Sequence, residues 1–263
     1  GTMIFFAAGL TVLVAPWIES ITRRLVGKSN NPMLDTAFSG ILSIQFIVMA
    51  VLVTCCLLFI FLWQGTIATL HAYRGGSFMA QWTIAAHATR IFSPLALLAL
   101  LCVRSDSNSP ARYPMVGDWI LRLAIVATFV THGIEAVRLN PAFVDLLIGS
   151  ASNLLGLALS ESVTNIMLYI IGAIDIVVAG LLIFTRWRWV PGYLAFWGFV
   201  TACSRITAAG LIGFGTAYPE TLIRAANGGA PLALFILWSV LAKPSVDPPS
   251  THPPRTTEQD RAP

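Results

Sequence analysis

The chain has 263 residues, of which 56% are hydrophobic and only 11% are charged. Soluble domains carry about 25% charged residues, so this composition excludes an ordinary soluble protein and favours an integral membrane protein. Basic residues mainly set orientation in membrane proteins, so the net charge of +4 indicates topology. No basic stripe with interleaved aromatic residues is present, and we therefore expect no nucleic-acid partner.

Seven apolar runs predict an all-α, polytopic bundle of about seven transmembrane helices. A helix needs about 20 apolar residues to cross the hydrocarbon core, and turn-forming Gly, Pro and Asn residues separate the runs. The first and last runs are short. In chain order, the runs cover residues 3–18, 38–64, 79–103, 118–137, 163–185, 190–213 and 230–242.

The same runs divide the chain into four parts. We expect an N-terminal three-helix membrane segment (1–103), a cytoplasmic loop (104–117), a four-helix membrane bundle (118–243) and a tail (244–263). The tail is rich in Pro, Thr and charge, which predicts disorder. Residues 141–158 are moderately apolar and are expected to lie along the outer interface. The start, Gly1-Thr2-Met3, fits either a truncated N-terminus or added residues.

Basic residues alternate between the two sides of the predicted bundle. The loops after the first, third and fifth spans, with the C-terminal side, hold ten of them, and the other three loops hold three. Because cytoplasmic loops are enriched in Lys and Arg, we expect a cell-membrane protein with its N-terminus outside and its C-terminus in the cytoplasm. The ten are Arg23, Arg24, Lys28, Arg104, Arg112, Arg186, Arg188, Lys243, Arg255 and Arg261; the three are Arg74, Arg138 and Arg224.

We single out six ionisable residues inside the predicted spans. Charged groups at membrane depth are costly unless they are paired or hydrated, so each is a functional candidate. A rise of about 1.5 Å per residue places five of them in one layer of the outer half of the bilayer, about 20–25 Å from the inner helix ends. Asp175 falls near the midplane. The six are His87 and Arg90, His132 and Glu135, Asp175, and Arg205.

These residues predict an outward-opening polar pocket that binds a ligand. Arg90 and Arg205 would bind an anionic head group or a quinone carbonyl. His132 with Glu135 nearby would carry protons near neutral pH, which makes these two the candidate catalytic residues. Alternatively, Arg90 or Arg205 pairs with Glu135 or Asp175 in a purely structural ion network. The predicted ligand-binding set is His87, Arg90, His132, Glu135, Asp175 and Arg205.

The sequence gives little support to bound metals or haem. The four cysteines form no C-x-x-C pair, and no metal site is predicted. Haem needs histidines on facing helices, and only His87 and His132 lie at suitable depth, so haem is disfavoured. Retinal needs a lysine within the membrane, whereas Lys28 and Lys243 lie at span ends. A quinone remains the candidate cofactor.

Two groups of residues within 118–243 form short motifs: Arg122-Leu123, Phe129 and His132-Gly133, followed by Gly172, Asp175, Gly180, Thr185 and Arg186. With these motifs, residues 118–243 resemble the DoxX-like family of four-helix membrane proteins. The chain differs from the family in having Asp175 where glutamate is typical, and in its three extra N-terminal spans. The resemblance implies a place beside membrane or extracytoplasmic oxidoreductases, since some relatives are quinone-linked thiosulfate oxidoreductase subunits. It marks His132 and Asp175 as positions of interest.

Three functions follow as hypotheses, and the sequence leaves open whether the protein is an enzyme. The first is an accessory membrane subunit that binds a lipid- or quinone-like molecule from the outer leaflet. This molecule could be anionic. The second is a quinone-linked oxidoreductase subunit with His132 as proton carrier. The third is a proton-coupled transporter of a small molecule that uses Asp175 and Glu135. The expected partners are membrane lipids and oxidoreductase subunits.

Overall fold

The computed structural model describes residues 32–75, 78–101 and 115–242, with the side chains of residues 32–44 and 46 excepted. Within these ranges all regular structure is helical, which confirms the all-α prediction for this part of the chain. The predicted first span (3–18) and the tail (244–263) lie outside the described residues, as does most of the 104–117 loop. The helices are α1 (Pro32–Arg74), α2 (Thr83–Ala86), α3 (Ala88–Leu101), α4 (Met115–Val137), α5 (Pro141–Leu155), α6 (Glu161–Phe184), α7 (Trp189–Arg224) and α8 (Ala226–Leu241), with a 3₁₀ turn at Ala80–Trp82.

Five helical stretches in the described ranges are long and apolar enough to cross a membrane. Their outward faces carry large apolar side chains, such as Leu62 and Val177, each 62% exposed. Such faces suit lipid tails and not water. Several helices could therefore span a membrane, as the composition predicts. The stretches are Ile47–Arg74, Ala80–Leu101, Met115–Val137, Glu161–Phe184 and Trp189–Leu241.

Helix α4 lies at the centre of the bundle, and α3, α6 and α8 pack around it. Ile125 of α4, Leu182 of α6 and Leu234 of α8 are completely buried in one shared core. Burying a side chain of this size contributes about 1.5–3 kcal/mol in water, although in lipid close packing replaces much of that driving force. This core holds α4 rigidly, so its polar side chains have fixed positions.

Two glycines let α4 and α6 approach closely. A Cβ atom on Gly133 would lie 2.8 Å from the carbonyl oxygen of Gly172, and one on Gly172 would lie 2.5 Å from the carbonyl oxygen of Gly133. No side chain fits at either point, because the obstacle is backbone. The segments around Gly133 and Gly172 thus face each other. Gly180 meets nothing within 4 Å and takes no part in this contact.

Helix α7 reverses direction at Gly210. This residue has φ 65° and ψ −173°, a conformation open essentially only to glycine. Fifteen residues of straight helix would separate Arg205 from Glu220 by about 22 Å. Instead their side chains lie 3.9 Å apart, so residues 211–224 fold back beside residues 189–209. The predicted span 190–213 therefore runs three residues past the true end of the first arm.

Helix α5 lies beside this reversal, which gives the predicted interfacial segment 141–158 a definite structure. The Ser150 hydroxyl is 2.7 Å from that of Thr207, and the Asn153 amide donates to the carbonyl of Ala208 at 2.8 Å. Asn153 thus satisfies a carbonyl that the end of the first arm leaves without a helical donor. We call this end of the bundle the α5 end.

Candidate functional site

His87 and Arg90 lie where the second candidate span is broken. His87 separates α2 from α3, and its Nδ1 donates to the carbonyl oxygen of Thr83 at 2.8 Å. That bond leaves Nε2 of the neutral ring as an acceptor. Arg90 is 8% exposed, and its Nε has no hydrogen-bond partner among the described residues. A buried guanidinium nitrogen without a partner is costly, so Arg90 is suited to accept an additional anion.

His132 and Glu135 form a hydrogen-bonded pair near the end of α4. Nδ1 of His132 lies 3.0 Å from Oε2 of Glu135, and both side chains are largely buried. The ring of Phe143, from α5, meets the imidazole edge-on with centroids 5.9 Å apart. The pair spans one helical turn, as the i, i+3 spacing predicts. Glu135 therefore fixes the orientation of the imidazole.

The two arms of α7 contribute a second set of charges. Glu220 lies 3.9 Å from Arg205 on one arm and 3.9 Å from Arg224 on its own arm. The glutamate side chain is 58% exposed, and the two arginine side chains are 20% and 25% exposed. One exposed carboxylate thus faces two mostly buried guanidinium groups. The fold-back at Gly210 brings this set together, and spacing along the sequence gives no hint of it.

These sets join into one cluster at the α5 end. Arg90 interacts electrostatically with Arg205, Arg224 and Glu220, and Arg224 also interacts with Glu135. His87 interacts with Arg90, His132 and Arg224. The structure thus brings together five of the six predicted site residues and adds two from the second arm of α7. We call Arg90, Arg205 and Arg224 the arginine cluster.

Asp175 lies apart from the arginine cluster. Its carboxylate is buried between α6 and α7 beside Trp197 and Tyr193, and it interacts electrostatically with the Tyr193 hydroxyl. Oδ1 of Asp175 and Nε1 of Trp197 are both buried, and neither has a hydrogen-bond partner among the described residues. Asp175 therefore belongs to a second polar site, of different chemistry from the arginine cluster.

The ion pairs also differ from those of the expected structural network. Arg205 and Arg224 share Glu220, while Glu135 is paired with His132. With neutral histidines, three arginines face two carboxylates, and positive charge is in excess. The expected network paired two arginines with Glu135 and Asp175, which would balance their charges. Asp175 lies beside Trp197 instead, so one of the two expected carboxylates is not available to the arginines.

A buried hydroxyl network lies next to the arginine cluster. The Thr89 hydroxyl donates to the side-chain oxygen of Asn227 at 2.9 Å, and the Thr89 amide donates to the Thr128 hydroxyl at 3.0 Å. All three residues are buried. These bonds tie α3 to α4 and to the start of α8. They fix the backbone that carries Arg90, which is the next residue.

The sequence reasoning missed a buried ion pair at the opposite end of α4. Nε of Arg122 lies 3.2 Å from Asp118, whose other oxygen accepts from the Trp238 indole at 2.6 Å. Arg186 approaches the same carboxylate at 3.8 Å. The Arg122 guanidinium also stacks over Trp238, 4.6 Å from the ring centroid. The i, i+4 spacing of Asp118 and Arg122 could have indicated this pair.

Neither end of the bundle offers a recognisable metal site in the part of the chain that the structure describes. No group of three or more His, Cys, Asp or Glu side chains converges there.

Comparisons with protein-family models, with curated proteins and with solved structures find no match for this chain.

Proposed function

We propose that the protein is an accessory membrane subunit that binds an anionic, lipid-like molecule at the arginine cluster. The molecule would reach this site from the outer leaflet. The observation that carries this proposal is the excess positive charge of three converging arginines, one of them with a buried, unpartnered Nε. The outer orientation rests on the distribution of basic residues in the sequence.

Electrostatics favours an anion over a neutral ligand. Buried like charges raise one another's energy, and the low local dielectric strengthens that repulsion. Glu220 relieves it only in part, since its side chain is 58% exposed and lies 3.9 Å from each partner. A phosphate or carboxylate head group would add charge-assisted hydrogen bonds, to which arginine is well suited. A quinone carbonyl accepts hydrogen bonds but leaves the excess charge in place.

The surroundings favour a ligand with an apolar tail. The second arm of α7 presents exposed apolar side chains beside the cluster, including Phe214, Leu222 and Ile223. The arginines lie within a candidate membrane span, so a ligand reaches them most readily from lipid. The proposal that residues 118–243 are DoxX-like rests on the sequence motifs alone, and with it the proposal of an oxidoreductase partner.

The test is mass spectrometry of the small molecules that co-purify with the protein from native membranes. The test variant is Arg90→Gln/Arg205→Gln, which removes two charges and keeps most of the apolar stem of each side chain. The matched control is Arg74→Gln/Arg138→Gln, because both arginines are exposed. An anionic amphiphile retained by the wild type and the control, and lost from a folded test variant, supports the proposal. Equal retention by all three contradicts it.

The His132–Glu135 hydrogen bond favours a second candidate, a quinone-linked oxidoreductase subunit with His132 as proton carrier. A histidine oriented by a carboxylate transfers protons effectively near neutral pH. His132→Gln would then abolish quinone reduction by the assembled complex without changing which lipid co-purifies. Unchanged turnover in this variant contradicts the second candidate.

A further inference from the structure

We propose that Asp175, Trp197 and Tyr193 form a second ligand site, distinct from the arginine cluster, that binds the hydroxyl group of a neutral amphiphile such as a phenol or a long-chain alcohol. This site does not depend on an anion binding at the arginine cluster. It lies on the seam between α6 and the first arm of α7.

The first argument is the state of its polar atoms. Asp175 is 6% exposed, and its Oδ1 has no hydrogen-bond partner among the described residues. The buried Nε1 of Trp197 also has no hydrogen-bond partner among the described residues. An acceptor and a donor thus lie close enough to interact, but neither atom has a partner in good hydrogen-bond geometry.

The other aspartate–tryptophan pair of the fold shows what a direct bond looks like. Nε1 of Trp238 donates to Oδ1 of Asp118 at 2.6 Å, and the carboxylate also meets Arg122. Asp118 is completely buried, and its other oxygen lies in ion-pair range of Arg122 and Arg186. The Asp175 pair lacks a direct bond of that geometry, and no described cation interacts with its carboxyl group. An acceptor and a donor in this state can both bond to a third group.

The chemistry of the pair selects a hydroxyl. A carboxylate oxygen accepts only, and an indole N–H donates only. One hydroxyl group can donate to Asp175 and accept from Trp197 at the same time. A carbonyl cannot donate to the carboxylate, and an ammonium cannot accept from the indole. The half-buried Tyr193 hydroxyl adds a further partner at the rim.

The packing of the seam allows a ligand to reach these atoms. Helix α6 packs mainly on α4, through Gly133 and Gly172, and makes few contacts with α7. Tyr193 and Trp197 are only partly buried, whereas the intervening Leu194 is fully buried in the core. Each of these two residues is therefore partly exposed beside Asp175, which is buried.

The experiment uses fluorine NMR of the full-length protein labelled with 5-fluorotryptophan, with the Trp197 resonance assigned from Trp197→Phe. The probe is 4-nonylphenol, and 4-nonylanisole is its matched control, because the ether cannot donate. We expect the phenol to move the Trp197 resonance saturably and to bind about tenfold more tightly than the anisole, as expected when a hydrogen bond satisfies a buried acceptor. Asp175→Leu, which removes the carboxyl group and keeps a side chain of similar size, is expected to lose the same factor.

Three results would overturn the proposal. The first is equal binding of the phenol and the anisole. The second is equal binding of the phenol to Asp175→Leu and to the wild type. The third is a Trp197 resonance of the wild type that does not move when the phenol is added. Asp145→Asn, on exposed α5 surface, controls for the loss of a carboxylate and is expected to bind like the wild type. Because Arg90 and Arg205 are intact throughout, failure here leaves the proposed anion site untouched.

Discussion

Replacing Glu220 with glutamine is expected to tighten the binding of an anionic amphiphile at the arginine cluster. Glu220 lies 3.9 Å from both Arg205 and Arg224 and therefore competes with an incoming anion for the same two guanidinium groups. The substitution removes that competitor and keeps the size of the side chain. In a purely structural ion network, the same change would only weaken the fold.

The size of the effect follows from the exposure of Glu220. Its side chain is 58% exposed, so solvent screens both pairs, and each is worth about 0.2–1 kcal/mol. Removing two such competing interactions contributes about 1 kcal/mol to anion binding. That free energy corresponds to about a fivefold lower Kd.

The assay is a calorimetric titration of dodecyl phosphate into the protein in a neutral detergent, with dodecanol as the uncharged comparison. Glu161→Gln is the matched control, because this exposed glutamate starts α6, whereas the arginine cluster lies on α3 and α7. We expect a tighter Kd for Glu220→Gln alone. An unchanged or weaker Kd, together with a lower Tm, would refute the competition argument and identify the charges as a closed structural network.

Two predictions concern stability, measured as thermal or denaturant unfolding in detergent. Gly172→Ala is expected to cost about 1–3 kcal/mol, because its Cβ would lie 2.5 Å from the backbone oxygen of Gly133. Gly180→Ala meets nothing within 4 Å and is expected to be neutral or to stabilise by up to about 1 kcal/mol, so equal losses at both sites would contradict the close α4–α6 contact. Asp118→Asn keeps the acceptor for Trp238 but removes the charge from the buried ion pair with Arg122, and is expected to cost about 1–3 kcal/mol. Asp145→Asn, on exposed surface, is expected to be silent; a small effect at Asp118 would show that the pair contributes little.

The helices themselves could be predicted because lipid leaves few alternatives. A long apolar run must satisfy its backbone internally, so the runs at 118–137 and 163–185 became α4 and α6 with ends shifted by at most three residues. The proximity of His87, Arg90, His132, Glu135 and Arg205 could also be predicted, because helix rise places them in one layer. Residues at one depth on neighbouring helices that face the interior must lie close together.

The rest depended on backbone geometry that no periodicity reveals. The reversal at Gly210 follows from one positive φ, yet the sequence there reads as a continuous apolar run. That reversal brings Glu220 and Arg224 down to Arg205. Asp175 was placed with the arginines by charge, but depth along a helix does not tell which neighbour a side chain faces. Its partner Trp197 lies on α7, whose contact with α6 depends on the whole bundle.

The most direct test of the central claim is photo-cross-linking with an alkyl phosphate that carries a diazirine next to its head group. We predict that the label, mapped by peptide mass spectrometry, concentrates on α3 and the two arms of α7 around Arg90, Arg205 and Arg224. An excess of dodecyl phosphate should displace it, and dodecanol should not. A label spread evenly over the exposed apolar faces of α1 and α6, and insensitive to dodecyl phosphate, would contradict the claim that the arginine cluster is an anion site.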